Sequence, residues 1–303
     1  MNILLTGSSG FIGSFFSSNY PIKRCVVRNS NKVRHGSEHL ITNLDENTNW
    51  SGVFNDIDTI IHLAGLAHNH LFSEEDYQAV NVSGTLHLAR EAANAGVKRF
   101  VFVSSIGVNG ATTIDTPFSN NSIPNPHNAF SRSKYDAELA LNNLAEDTGI
   151  EVVIVRPTLV YGADAPGNFG SLVRLIHKIP FLPFALVNNK RSFISVQNLC
   201  DLLFTCASHP KAPGNTFLAS DGESVSIKEF TNEIAAGVGQ KLIQIPVPVI
   251  FMKLLGRLFI NKSSKIQLLV GNLEVDSSNL QHVLGWRAPY TMKQAMNFLS
   301  RSK

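Results

Sequence analysis

The sequence predicts an α/β fold, a doubly wound parallel sheet followed by a smaller second α/β domain, and three observations carry that expectation. Short apolar runs alternate with longer helical patterns through the first half of the 303 residues, the order that gives parallel strands covered by helices. Gly7, Gly10 and Gly13 stand between the first apolar run and the first helical pattern. From Tyr161 onwards the alternation gives way to frequent Pro and Gly (Pro166, Gly167, Gly170, Pro180, Pro183), which predicts a looser region.

The predicted strands are "NILLT" (2–6), "RCVVR" (24–28), "DTIIHLA" (58–64), "RFVFVSS" (99–105) and "EVVIVRP" (151–157). They are rich in Val, Ile and Phe and mostly apolar throughout, as strands buried on both faces should be. Residues 73–95 open with "SEED", a capping-box pattern, and stop at Gly96, so they predict one helix; residues 130–148 predict another, stopped by Gly149. The stretch 242–260, "LIQIPVPVIFMKLLGRLFI", is broken by Pro246, Pro248, Lys253 and Arg257 and fails as a membrane span. It reads as a packed amphipathic helix, with contact at a membrane surface as the alternative.

Composition bounds the function without choosing it. At 44% hydrophobic and 16% charged, the chain reads as a folded globular protein. Its 26 basic and 23 acidic residues are scattered, without the basic run that nucleic acid would require. Cys25, Cys200 and Cys206 form neither a disulfide framework nor a metal-ligand spacing, which points to a reducing cytoplasm. The start, "MNILLTGSSG", reaches its glycines too quickly for a signal peptide and is expected to belong to the fold.

The turn "LLTGSSGFIGSFF" carries the first chemistry. A first Gly permits the tight turn, a second lets the backbone approach a pyrophosphate, and a third allows close helix packing with the helix N-terminus facing the anion. That context predicts a Rossmann-type dinucleotide site at Gly7, Gly10, Phe11, Ile12 and Gly13. Where the second strand of such a fold usually ends in an acid for the ribose, this one ends in Arg28. Arg28 reads equally as a group accommodating the 2′-phosphate of NADP(H) or as a solvated side chain.

"TGSSGFIG" resembles the TGxxGFIG signature of the extended short-chain dehydrogenases/reductases, the NAD-dependent epimerase and dehydratase family. The resemblance extends along the chain through "HLAG" (62–65), "NVSGTLHLAREAANAGVKRFVFVSS" (81–105), "SSIGVNG" (104–110), "FSRSK" (130–134), "RPTLVYG" (156–162) and "RSFISVQNLCD" (191–201). It implies a dinucleotide-binding domain over 1–162, rejoined by about 188–205, and a substrate-binding domain over 163–303. It implies NAD(P) contacts at Leu63, Ala64, Gly65 and Pro157 and an adenine pocket near Asn43 and Leu44, with Asn where the family has Asp.

In this family a Ser or Thr, a Tyr and a Lys act together. The phenol, with a pKa of about 10, needs an adjacent ammonium to serve as a base near neutrality, and YxxxK spacing puts both on one helix face. Ser105 and Lys134 match, but Phe130 occupies the Tyr position. Tyr135 is no substitute, being turned about 140° from position 130 on a helix. Apart from an ordinary core role, Phe130 has two readings: a Tyr→Phe substitution made to trap a complex, or a natural paralogue that binds without efficient chemistry.

On the substrate side the resemblance implies that Arg191 grips a nucleotide-sugar diphosphate, a task suited to a planar guanidinium, and that Asn168 touches phosphate or uracil. Asp276 reads as a ligand contact or a helix cap. His68, two residues from His70, is expected to face the sugar, since a metal reading lacks a third ligand. "SSIGVNG", "GNFGSLVRL" (167–175) and "FLASDGESVS" look most like UDP-N-acetylquinovosamine dehydrogenases. They imply reduction at C4 of a UDP-4-keto-6-deoxy-N-acetylhexosamine for bacterial O-antigen or capsule synthesis. The alternatives are a UDP-GlcNAc or UDP-glucose 4-epimerase with retained NAD, and a non-catalytic NAD(P)-binding regulator. Relatives commonly form homodimers through the helices at 73–95 and 130–148.

Overall fold

In the computed structural model, which describes residues 1–28, 36–67, 71–252, 254 and 269–301, seven strands form one parallel sheet. They are β1 (Ile3–Thr6), β2 (Arg24–Val27), β3 (Ser37–Leu40), β4 (Thr59–His62), β5 (Arg99–Val103), β6 (Glu151–Pro157) and β10 (Thr216–Ala219). Their order is β3-β2-β1-β4-β5-β6-β10. The direction of winding reverses between β1 and β4, which opens a crevice at the carboxyl ends of these strands.

Alternation along the strands builds two cores. Ile3, Leu5, Val101, Val103, Val153 and Val155 face one way, against α1 (Phe11–Asn19) and α6 (Val196–Ser208). Leu4, Phe100, Phe102, Val152 and Ile154 face the other, against α3 (Thr85–Asn94) and α4 (Ala129–Thr148). Burying both faces explains why these strands are apolar at every position.

Three expectations need correction. Residues 73–95 are not one regular helix: a capped turn, α2 (Glu74–Tyr77), passes into a π-helical segment at Gln78–Gly84 before α3. The wide turn accompanies two close approaches: the Asn81 amide bonds the backbone of Leu66, and the Leu44 carbonyl packs against Gly84, where a Cβ would sit 2.8 Å from that oxygen. The region after Tyr161 is not loose. It carries β7 (Leu159–Tyr161), α5 (Gly167–Lys178), β8 (Phe181–Leu182), β9 (Arg191–Ser195), β11 (Ser224–Val225) and α7 (Ile227–Gly237) around an aromatic core. In that core Phe193 stacks on Phe230 at 3.8 Å and the Tyr161 hydroxyl donates to Asp221 at 2.7 Å. Pro166, Pro180 and Pro183 there mark short connections between packed elements, while Gly167 and Gly170 lie inside α5, where a Cβ on Gly170 would sit 2.4 Å from Ala165 O. Finally, the stretch expected as a helix over 242–260 begins instead with a strand, β12 (Ile243–Gln244), paired parallel with β8, and a helical turn at 249–252; positions 253 and 255–260 of that expectation lie outside the described residues. Pro246 and Pro248 keep a helix from starting earlier.

The chain also returns to the large sheet beyond 188–205: β10 pairs with β6, and α8 (Ser278–Leu284) packs into the first core through Leu280 and Leu284. A last helix, α9 (Met292–Met296), closes the aromatic core. No helix among the described residues is long and apolar enough to cross a membrane.

Candidate active site

Gly7 leaves β1 in a left-handed conformation (φ 72°), and a Cβ there would lie 2.7 Å from the Ala64 amide nitrogen. Gly10 N donates to Gly7 O at 3.0 Å, and a Cβ on Gly13 would lie only 2.1 Å from that same oxygen. The three glycines let β1, the Leu63–Ala64 backbone and α1 meet without side chains between them. No side chain caps α1 at Gly10, so its first amides are open to an anionic ligand. This cradle fits the pyrophosphate of a dinucleotide. Gly13→Ala is expected to lower dinucleotide affinity at least tenfold by isothermal titration, because Gly7 must move away; unchanged affinity would show that the turn is not the cradle.

Of the other residues expected at the cofactor, Asn43 and Leu44 follow edge strand β3, Asn43 exposed and Leu44 buried in the second core. Arg28 is exposed just past β2, and Pro157 is buried at the end of β6 beside Ala219. Gly65 sits beside the Asn81 amide and the Lys134 ammonium, 2.8 Å and 3.5 Å from where a Cβ would lie.

At the ends of β5 and α4 the structure brings Ser105, Phe130 and Lys134 to one place. Asn128 starts α4 by accepting from Ser131 N at 2.8 Å, and the Ser131 hydroxyl returns the bond. One turn on, Lys134 is buried, its Nζ donating to Val103 O at 3.1 Å and lying 4.7 Å from the centre of the Phe102 ring. Burial lowers its pKa to about 8, against the opposing pull of Glu138. Ser105 Oγ accepts from Gly107 N at 3.1 Å, which leaves its proton to donate. The Phe130 ring meets the edge of Tyr77 at 6.1 Å.

Residues that sequence reading did not single out support this group. His62, buried under Lys134, bonds Thr6 Oγ1 at 2.8 Å and Thr85 Oγ1 at 3.0 Å; burial, then the ammonium of Lys134, lowers its pKa to about 3, so it stays neutral. Asn81 joins the Leu66 backbone to Ser133 Oγ at 3.0 Å, tying the cofactor loop to α4. Arg156 of β6 makes a bidentate pair with Glu138 of α4 and donates to Asn109 at 3.0 Å. His127 is exposed beside Ser105: its Cε1 and Ser105 Oγ both lie within 3.5 Å of the Gly107 Cβ position. His62, Asn81 and Arg156 each fall inside a stretch that carries the family resemblance, while Glu138 and His127 lie outside all of them.

The substrate-side residues are dispersed. Arg191, at the start of β9, donates to Gly271 O at 3.0 Å, and burial lowers its pKa to about 10. Asn168 is exposed at the start of α5. Asp276 accepts from Ser278 N at 2.9 Å just ahead of α8, whose N-cap is Ser277 with no side-chain capping bond, and it lines a cleft of about 490 Å³ beyond β10 with Arg287 and Tyr290. His68 lies outside the described residues. Among the described residues no group of three His, Cys, Asp or Glu side chains could hold a metal, and the three cysteines are buried and form no disulfide.

Residues 3–219 match the description of the NAD dependent epimerase/dehydratase family. The chain belongs to that family. It is an NAD-dependent enzyme of the epimerase/dehydratase class, and a UDP-glucose 4-epimerase of Vibrio cholerae is 40% identical to it over 97% of this chain and 92% of the relative. An N-acetyl-α-D-glucosaminyl-diphospho-ditrans,octacis-undecaprenol 4-epimerase of Escherichia coli O157:H7 is 23% identical over 98% and 93% of the two chains. Among solved structures, UDP-glucose 4-epimerase of Thermotoga maritima with UDP-glucose superposes with a TM-score of 0.77 at 20% identity, covering 100% of this chain and 98% of the other, which is a likeness of fold.

Proposed function

We propose that the enzyme binds NAD(P) and a UDP-hexose and works at C4 of the sugar as a 4-epimerase whose proton transfer is slowed by Phe130. The observation that carries this reading is Lys134 buried one helical turn from Phe130, with Ser105 at the end of the neighbouring strand. The 40% identity to a UDP-glucose 4-epimerase supports the choice of sugar and carbon.

In this reading the bound nicotinamide supplies the hydride acceptor and donor. Gly7, Gly10 and Gly13 hold the pyrophosphate, and the first amides of α1 face it. Ser105 would hydrogen-bond the C4 oxygen through its hydroxyl, without giving up the proton. Lys134 carries an ammonium at neutral pH, since its pKa is about 8, and bonds the nicotinamide ribose. Phe130 supplies the ring of the usual acid-base group without its oxygen, so a water held by Ser105 must carry the proton. Residues 1–162, with α6 and β10 packed on them, serve the dinucleotide, and Arg191, Asn168 and Asp276 serve the sugar nucleotide.

A second reading, reduction of a UDP-4-keto-6-deoxy-N-acetylhexosamine, is favoured by "SSIGVNG", "GNFGSLVRL" and "FLASDGESVS". Cofactor retention separates the two. An epimerase regenerates its cofactor within each turnover, so the purified enzyme is expected to retain dinucleotide through gel filtration and to bind UDP-glucose or UDP-GlcNAc in titration. Free exchange of NADPH with net consumption of a 4-keto sugar would favour the reductase, and NAD against NADP in the same titrations tests Arg28. Failure of every UDP-hexose to bind would overturn both.

A further inference from the structure

His127 stands one residue ahead of the Asn128 that starts α4, the helix carrying Phe130 and Lys134. Its ring reaches the mouth of the site. A Cβ on Gly107 would meet Ser131 Cβ at 3.2 Å, Ser105 Oγ at 3.3 Å and His127 Cε1 at 3.5 Å, so the imidazole and the Ser105 hydroxyl border the same small space. Gly107 is not in the left-handed conformation that would by itself require glycine; what its missing side chain leaves is that space.

The hydrogen bonds around His127 fix which proton it carries. Asn128 Oδ1 accepts from Ser131 N and from Ser131 Oγ, each at 2.8 Å, as the cap of α4. The amide nitrogen of Asn128 is thereby left to face His127 Nε2, at 2.9 Å. An amide nitrogen only donates, so Nε2 accepts and the neutral ring carries its proton on Nδ1. Nε2 is therefore occupied, and the ring offers a donor but no free acceptor. That pattern makes His127 a binding group and not a stand-in for the phenol missing at Phe130. His127 is exposed, and its Nδ1 has no partner among the described residues.

We propose that His127 Nδ1–H binds the sugar, donating to an oxygen of the hexose of the bound nucleotide sugar beside the C4 oxygen that Ser105 takes. The inference rests on the UDP-hexose reading above and adds to it a residue that orients the sugar. With no hydroxyl at position 130, that orientation depends more heavily on such a donor.

The test is isothermal titration of the parent, H127A and H127N with NAD, with UDP, and with UDP-glucose and UDP-GlcNAc. H127A is expected to weaken one or both nucleotide sugars by about three- to tenfold, the worth of a neutral hydrogen bond. Affinities for NAD and for UDP should not move, because neither carries the hexose; they also verify that the exposed substitution leaves the fold intact. In H127N the side-chain nitrogen is attached at the γ position, as Nδ1 is, so this variant should recover most of the loss. Unchanged affinity for both nucleotide sugars in H127A overturns the proposal. So does an equal loss for UDP and NAD, which would assign residue 127 a purely structural role, or an H127N variant as weak as H127A. A parent that binds UDP but neither nucleotide sugar is a different result: it removes the UDP-hexose reading itself, and this inference with it.

Discussion

Phe130→Tyr is expected to raise turnover on the sugar nucleotide by about 10²- to 10⁴-fold, the usual contribution of a positioned acid-base group, while leaving affinities for cofactor and sugar nearly unchanged. The substitution adds one oxygen to a partly exposed ring at the mouth of the site, so neither a cavity nor an overpacked core opposes it. The partner for the new phenol is already present, because Lys134 is buried and fixed by Val103 O and the Phe102 ring. An ammonium there favours phenolate, so the gain should disappear in the double variant with Lys134→Met. It should also fade above about pH 8, since Lys134 is protonated below its lowered pKa and neutral above it. The measurement is kcat and KM for both proteins on UDP-glucose and UDP-GlcNAc across pH. A variant as slow as the parent at every pH would mean that position 130 is not the proton-transfer position.

Removing the carboxylate of Glu138 is expected to destabilise the fold by about 3–5 kcal/mol, because Glu138→Ala strands the Arg156 guanidinium in the interior. Both side chains are almost wholly buried, at 6% and 3% exposure, so solvent does not screen the pair. The pair joins three elements that carry the site: α4 with Phe130 and Lys134, β6 ending at Pro157, and, through Asn109, the turn after Ser105. Replacing both charged residues, Glu138→Leu with Arg156→Met, should restore most of the loss, since the desolvated charge goes with its partner. Denaturant titration of the three proteins checks this. A loss of only about 1 kcal/mol in the single variant, the scale of an exposed pair, would contradict the assigned burial.

The legibility of this protein in its sequence follows the range of the forces involved. The five strands buried on both faces were readable because double burial leaves an apolar run. β3, "SEHL", was not, because an edge strand with mostly exposed side chains carries no such pattern. β10, "TFLA", was too short to stand out, and its place beside β6 lies 62 residues away in register. The capping boxes at Ser73 and Asn128 were local, and the one at Ser73 was expected; the π-helical segment was not, since it accompanies contacts that Asn81 and Gly84 make with residues far off in sequence.

The same division runs through the site. By itself the sequence determined the glycine turn, the parallel order of the first half, the family, and a Phe at position 130 four residues before Lys134, because each depends on residue type at short, fixed spacing. Only the tertiary structure decided that His62 is buried and neutral beneath Lys134, that Glu138 faces Arg156, and that Phe181 joins Ile243 on one exposed face. Those outcomes depend on burial and on partners brought together from distant parts of the chain, and spacing along a sequence carries neither.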